Sequence, residues 1–271
     1  MSPQQQKPVI LIKLGGSIIT NKEIPMQLRV DVLNRLVKEI VRARAAFPNK
    51  LFVVGHGSGS FAHVPATQYK TMNGFVNGES RLGMAIVQDS AAQLNRHVVH
   101  SFLEAGVPAV SLYPSNSLVT KNRLADSHFV DVFEEYIAQG LFPITGGDVI
   151  LDRAQGCTIW STEEVLGFFA EEFLQRGWQV EQLVHVTEVP GVFDAESKVI
   201  ASITPETWQG QKQHITTTKG FDVTGGMFTK IEESLKLANK GINVKILSGL
   251  KAENLYQALT GNSWEGTSIQ G

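Results

Sequence analysis

The sequence predicts an α/β fold in which an open, mainly parallel sheet is covered by helices. Two observations lead there. Short apolar runs of strand type alternate with longer segments of helical period. Several of the helical segments stop at a glycine, Gly106, Gly140, Gly177 or Gly241, that a strand follows closely, as expected of the left-handed residue that ends a helix.

In chain order the strands are Pro8 to Leu14 (PVILIKL), Leu51 to Gly55, Ala109 to Leu112, Phe142 to Thr145, Leu183 to Thr187 and Val244 to Ser248. The helices between them are Arg29 to Phe47, Glu79 to Glu104, Ala125 to Gln139, Glu163 to Arg176 and Met227 to Lys240. No charge run, low-complexity linker or internal repeat interrupts this order. The one shift of composition is the polar stretch from Lys198 to Thr224, read as a hairpin or an excursion over a nucleotide site. One continuous sheet in a single domain over residues 1–271 is expected.

With 271 residues, 42% of them hydrophobic, the chain can bury a core large enough to fold alone. The 24 Lys+Arg against 26 Asp+Glu leave a net charge of -2, so the overall balance is not that of a nucleic-acid or polyanion binder. Functional positive charge must therefore be local. The lone Cys157 can form no internal disulfide and no cysteine-rich metal cluster, which fits a reducing cytoplasm. The N-terminus does not read as a signal peptide, and no stretch approaches the roughly 20 apolar residues that span a bilayer. A soluble cytoplasmic protein is expected.

Four segments carry chemistry. Lys13-Leu14-Gly15-Gly16-Ser17 ends the first strand, where ligands bind in open α/β sheets. Its glycines let backbone N–H groups approach an anion beside a strand-borne cation, although an ordinary turn with a solvated lysine fits the same run. Lys22 follows shortly, and alone reads as a surface residue. Gly55-His56-Gly57-Ser58-Gly59-Ser60-Phe61-Ala62-His63 comes directly after the second strand and is rich in hydrogen-bond donors suited to a phosphate. A lone histidine is ordinarily structural, as His56 is read here; beside an anion turn, His63 becomes a candidate donor to a phosphate and to charge developing in transfer. Thr145-Gly146-Gly147-Asp148 brings a third glycine pair to the same rim. Asp148 is suited to order lysines, to hold a metal through water, or merely to cap its turn. Asp222 to Lys230 (DVTGGMFTK) opens the last long helix, with Thr224 as N-cap, Gly225 and Gly226 exposing N–H groups, and Lys230 one turn in. A capped amphipathic helix with a solvent-facing lysine is the plainer reading of that run.

Gly57 to Ala62 also satisfies G-x-G-x-x-A, the relaxed dinucleotide fingerprint, with Glu79 twenty positions beyond Gly59. That fingerprint runs straight into a helix, whereas Val64 to Gly78 reads as a long polar loop containing Pro65, Asn73, Gly74, Asn77 and Gly78. A nicotinamide-dependent oxidoreductase is therefore a minor alternative. Walker A, the protein-kinase catalytic loop, HExxH and G-x-S-x-G are all missing from the sequence.

In this order, KLGGS, Lys22, HGSGSFAH, GGDVILD, TEVPGVF and DVTGGMFTK resemble the amino acid kinase superfamily, and within it the members whose acceptor is isopentenyl phosphate. The resemblance runs from about Val9 to Gly266-Thr267-Ser268-Ile269, and the GSF-x-H run with His63 is its most discriminating part. It implies a three-layer αβα sandwich, a homodimer, and ATP with Mg2+. Lys13, Gly15, Gly16 and Ser17 would contact ATP phosphates, with Lys22 and Lys230 on the transferring phosphoryl group. Ser58 and His63 would hold the acceptor phosphate, Gly59 would face both substrates, and Gly147 and Asp148 fall on the acceptor side. Thr187, Glu188 and Gly191, within Thr187 to Phe193, fall near the adenosine, and Gly225 and Gly226 near the phosphates. Residues from about 1 to 180 would form the acceptor half and from about 181 to 271 the nucleotide half, with no protein-held metal.

The chain departs from the superfamily at two places. Trp160-Ser161-Thr162-Glu163 stands where S-G-D is common, and Thr187-Glu188-Val189-Pro190-Gly191 where T-D-V-D-G is usual. The relative that phosphorylates the phosphonate fosfomycin departs at the first place too, so a phosphonate acceptor stays open, as does a non-catalytic nucleotide sensor. Retention of three lysines speaks against the sensor. An isopentenyl chain also requires an apolar pocket, to which some of Leu82, Met84, Ala85, Ile86, Val87 and Leu94 could contribute.

Overall fold

The computed structural model describes residues 7–217 and 226–271, with the backbone alone at 213–217. Among these residues the strands are β1 (Val9–Leu14), β2 (Leu51–His56), β3 (Ala109–Ser111), β4 (Leu118–Lys121), β5 (Leu124–His128), β6 (Phe142–Gly146), β7 (Asp148–Asp152), β8 (Gly156–Trp160), β9 (Val180–Thr187), β10 (Ser202–Ile203), β11 (Asn243–Ser248) and β12 (Thr267–Ile269). The α-helices are α1 (Gly16–Ile19), α2 (Val30–Ala46), α3 (Gly59–Gln68), α4 (Ser80–Glu104), α5 (Asp131–Ala138), α6 (Thr162–Gln175), α7 (Pro205–Thr217), α8 (Gly226–Ala238) and α9 (Asn254–Thr260).

Eight strands form the main sheet in the order β10-β12-β11-β9-β1-β2-β6-β3, and all its pairings are parallel except β11 with β12. Successive residues of β1 serve opposite cores, because side chains alternate across a strand. Val9 and Leu11 pack into a cluster with Phe133 of α5, Phe169 of α6 and Ile231 of α8. Ile10, Ile12 and Leu14 join Leu36 of α2, Phe102 of α4 and Leu259 of α9. Helices thus cover both faces, giving the three-layer αβα arrangement. All six predicted strands lie in this sheet, since buried parallel strands read as near-continuous apolar runs.

Three expectations need correction. There are two sheets rather than one, the second having the order β5-β4-β7-β8. The helix expected over Ala125 to Gln139 is instead β5 followed by the shorter α5. Asn122 and Arg123 have φ of 52° and 67° and link the Lys121–Leu124 pair, so they make a two-residue hairpin turn of the kind with positive φ at both positions. Asn122 was the local signal, but β5 is exposed along its length and lacks an apolar run. Finally, the hairpin lies earlier than the polar stretch and takes in only its first residues: Val192 to Ile200 is closed by a Phe193–Val199 bridge and an Ile200 N–H to Val192 O bond of 2.8 Å. Pro205 onward is α7, started by the Thr204 hydroxyl and proline at the first helical position. It is anchored by buried Trp208, whose Nε1 donates to Glu232 at 2.7 Å. Residues 218–225, with Thr224 and Gly225, lie outside the described residues.

Candidate active site

The carboxyl ends of β1, β2, β6 and β9 share one rim of the main sheet. Since β2 lies on one side of β1 and β9 on the other, the chain leaves this point in both directions and opens a crevice there. A cleft of about 850 Å3 occupies it, lined by Lys13, Gly15, Gly16, Ser17, Lys22, Ser58, Gly59, His63, Gly147, Asp148, Thr187, Glu188, Gly226 and Lys230. Every predicted site residue is therefore on this wall except two. Gly191 is buried away from it, packed so that a Cβ would lie 2.7 Å from Thr267 Oγ1, and Gly225 is outside the described residues.

The glycines are required first by each other. A Cβ on Gly16 would come within 2.3 Å of Gly59 N, one on Gly57 within 2.6 Å of Gly16 N, and Gly59 has φ of +49° with Thr20 Oγ1 against it. The first two turns thus interlock backbone to backbone, which any side chain would prevent. Several N–H groups expected to face an anion are also used internally. Gly15 donates to Val186 O at 2.8 Å, Gly57 to Leu14 O at 2.9 Å, and Gly147 to Thr162 Oγ1 at 2.9 Å.

The second turn does run directly into a helix, because α3 starts at Gly59 and continues through Pro65 to Gln68. The polar-loop argument against a dinucleotide fingerprint therefore fails. What separates this turn from that fingerprint is its interlock with Gly16, which makes it half of a two-turn cradle.

Sequence reading did not single out Glu163. Its Oε1 lies 2.6 Å from Lys13 Nζ and 3.5 Å from Lys230 Nζ, so one carboxylate joins cations from β1 and α8. Burial by itself would raise the Glu163 pKa, but the neighbouring ammonium groups of Lys13 and Lys230 outweigh it and hold the carboxyl well below the usual range. His185, in register with Lys13, is pushed by burial down to about 3 and stays neutral beside them. Lys22 reaches the same cleft from the loop after α1, where its Nζ is 2.8 Å from Glu188.

A family model described as the amino acid kinase family matches residues 8–248. The chain belongs to the amino acid kinase family. It is 32% identical to the isopentenyl phosphate kinase of Methanothermobacter thermautotrophicus, over 97% of this chain and 99% of that one. The isopentenyl phosphate kinase of Methanocaldococcus jannaschii is 30% identical, over 96% and 97%. A solved isopentenyl phosphate kinase superposes with a TM-score of 0.80 at 28% identity, covering 96% of this chain and all of that one.

Where this family commonly has S-G-D, each residue of the present run has a visible task. Ser161 caps α6 in a reciprocal box with Glu164. Thr162 donates to His56 O at 2.7 Å and accepts from Gly147 N at 2.9 Å, tying β2 to the β6–β7 turn. Glu163 is the carboxylate shared by Lys13 and Lys230. His56, pushed down to about 4 by burial, accepts from Asn95 Nδ2 at 2.9 Å and is structural, as expected. Asp148 accepts from the N–H groups of Ser115 and Val149, and burial raises it to about 6.

Glu163→Gln should therefore change the acid limb of stability. A carboxyl whose folded pKa is depressed stabilises the fold fully above its unfolded value of about 4.3, and that contribution disappears as pH falls below it. Asp148, raised instead, acts oppositely, its contribution declining as pH rises from about 4 towards about 6. Comparing the variant with the parent isolates Glu163. The variant should lose about 2–3 kcal/mol at pH 7, with the difference shrinking below pH 4. Urea midpoints at the two pH values measure this, and an unchanged difference would show that Glu163 is not held ionised by the lysines.

Proposed function

We propose that the chain transfers the γ-phosphoryl group of ATP to isopentenyl phosphate, giving isopentenyl diphosphate. The observation that carries this reading is a single cleft with two kinds of lining. Lys13, Lys22, Lys230 and His63 are on its wall, and so are Ala62, Val87, Ala91, Val149 and Ile159, which pack together as one apolar cluster. A short hydrocarbon monophosphate matches that lining better than an amino acid does. Of the α4 side chains considered for an apolar pocket, Val87 is on this wall, while Leu94 is in the core and Leu82 faces solvent.

The phosphate of the acceptor is already ionised near neutral pH, its second pKa being about 6, so attack needs no general base. The chain's part is to bring two anions together in line and to neutralise charge in the transition state. Lys13 and Lys230, spaced by Glu163, and Lys22 supply that charge, and His63 anchors the acceptor phosphate with Ser58. Residues up to about 180 serve the acceptor and the remainder the nucleotide. Among the described residues no group of three or more His, Cys, Asp or Glu converges to hold a metal. Asp148 bonds backbone N–H groups and Glu163 faces two ammonium groups, so neither fits a metal ligand. The Mg2+ of the reaction would arrive on the triphosphate and screen its charge. The family likeness supports a homodimer, for which sedimentation should give twice the 29.7 kDa chain mass, and a cytoplasmic location. No helix among the described residues is long and apolar enough to cross a membrane.

ADP release should be measured with isopentenyl phosphate, dimethylallyl phosphate and fosfomycin. Turnover is expected to be greatest with isopentenyl phosphate; a preference for fosfomycin would select the phosphonate reading. A thermal shift with NAD(P)H but none with Mg-ATP would sink both. His63→Ala should lower kcat/KM for isopentenyl phosphate about 10²-fold with KM for ATP little changed. Unaltered kinetics would remove this histidine from the mechanism.

A further inference from the structure

Glu188 is an acid on the wall of a cleft proposed to hold two phosphorylated molecules, one residue past Thr187 at the carboxyl end of β9. Its oxygens are separately engaged. Oε2 lies 2.8 Å from Lys22 Nζ and Oε1 lies 3.1 Å from Arg29 Nη1. Arg29 is the N-cap residue of α2, and its N–H donates to Ile19 O at 2.8 Å, so it stands on a fixed element. Lys22 stands on a loop. That loop is closed at its neck by the Thr20–Leu28 bridge and by Asn21 N–H to Gln27 O at 2.9 Å. The Lys22 side chain is 65% exposed, so its flexible four-carbon stem is held at the tip rather than along its length. Ion pairs this exposed add little to stability but restrict where the ammonium can be.

We propose that Glu188 is a positioning residue: clamped by Arg29, it holds the Lys22 ammonium at the cleft for the transferring phosphoryl group. This rests on the reading of Lys22 as a catalytic lysine. The arrangement also gives a use to the glutamate that departs from the usual T-D-V-D-G run.

Glu188→Gln keeps the size and removes the charge. It should lower kcat about tenfold, leave KM for ATP and for isopentenyl phosphate within twofold, and leave the melting temperature unchanged. Glu188→Asp should recover part of the loss. In a Lys22→Ala background, Glu188→Gln should have no further effect. Lys22→Ala without effect would overturn the catalytic reading of Lys22, and this proposal with it. A fall in Lys22→Ala with none in Glu188→Gln would overturn the positioning role alone. So would a rise in KM for ATP at constant kcat that persists without Lys22, because Glu188 would then be a nucleotide contact. Faster turnover in Glu188→Gln would also overturn it, showing that the pair restrains Lys22 instead of presenting it.

Discussion

Lys13→Ala is expected to lower kcat about 10³-fold, the scale reached when a fixed cation or donor at a developing charge is removed from a water-poor site. The side chain is only 9% exposed, and its Nζ is held 2.6 Å from Glu163, so its position is set before substrate arrives. Pre-set charge is effective because it needs no reorganisation during transfer. Lys13→Arg should not restore the rate, since a planar guanidinium cannot occupy the place of a compact ammonium shared with Lys230 across one carboxylate. Single-turnover ADP formation at saturating substrates reads the chemical step. A rate within tenfold of the parent would show that Lys13 serves Glu163 structurally and does not touch the reaction.

Gly16→Ala is expected to reduce kcat/KM by about 10²-fold or more although it deletes no catalytic side chain. The added Cβ would meet Gly59 N at 2.3 Å and Gly59 Cα at 2.6 Å, both backbone atoms that cannot swing aside. Relief comes only by parting the turns after β1 and β2. A displacement of about 1 Å at that point separates Lys13 from His63, and misplacement on that scale costs about 10²-fold. Overpacking should also lower stability by about 1–3 kcal/mol, measurable by urea denaturation. Near-parental kinetics in a folded Gly16→Ala variant would mean that the interlock is not needed for turnover.

The legible parts of the molecule were those whose requirements are local. β1, β2, β6, β9 and β11 are buried runs and announced themselves, whereas β10 has two residues, β12 has three, and β5 is exposed throughout. The glycine turns were legible because they lack side chains, although the requirement the structure shows is contact between the turns themselves. Glu163 was not, because an acid in the first turn of a helix is ordinary, and its partner Lys13 is 150 residues away in sequence. The ion pairs of Glu188 were hidden for the same reason, since the cations beside it come from the far end of the chain, and its expected place near the nucleotide rested on the family likeness. Pro65 and the polar residues beyond it concealed α3, whose buried residues are confined to its start, Gly59 to Ala62.

The odd-numbered residues of β1 face α6 and α8, and Lys13 shares that parity with Val9 and Leu11. Deleting a single codon inside this strand would invert the assignment. The ammonium would then emerge beneath α2 and α4, among Ile18, Leu36 and Phe61, with Glu163 on the other side of the sheet. The hydrophobic alternation that assembles two cores is thus also the address label of a reactive group, and genetic drift in the length of β1 is closed to this chain even where its composition is free to vary.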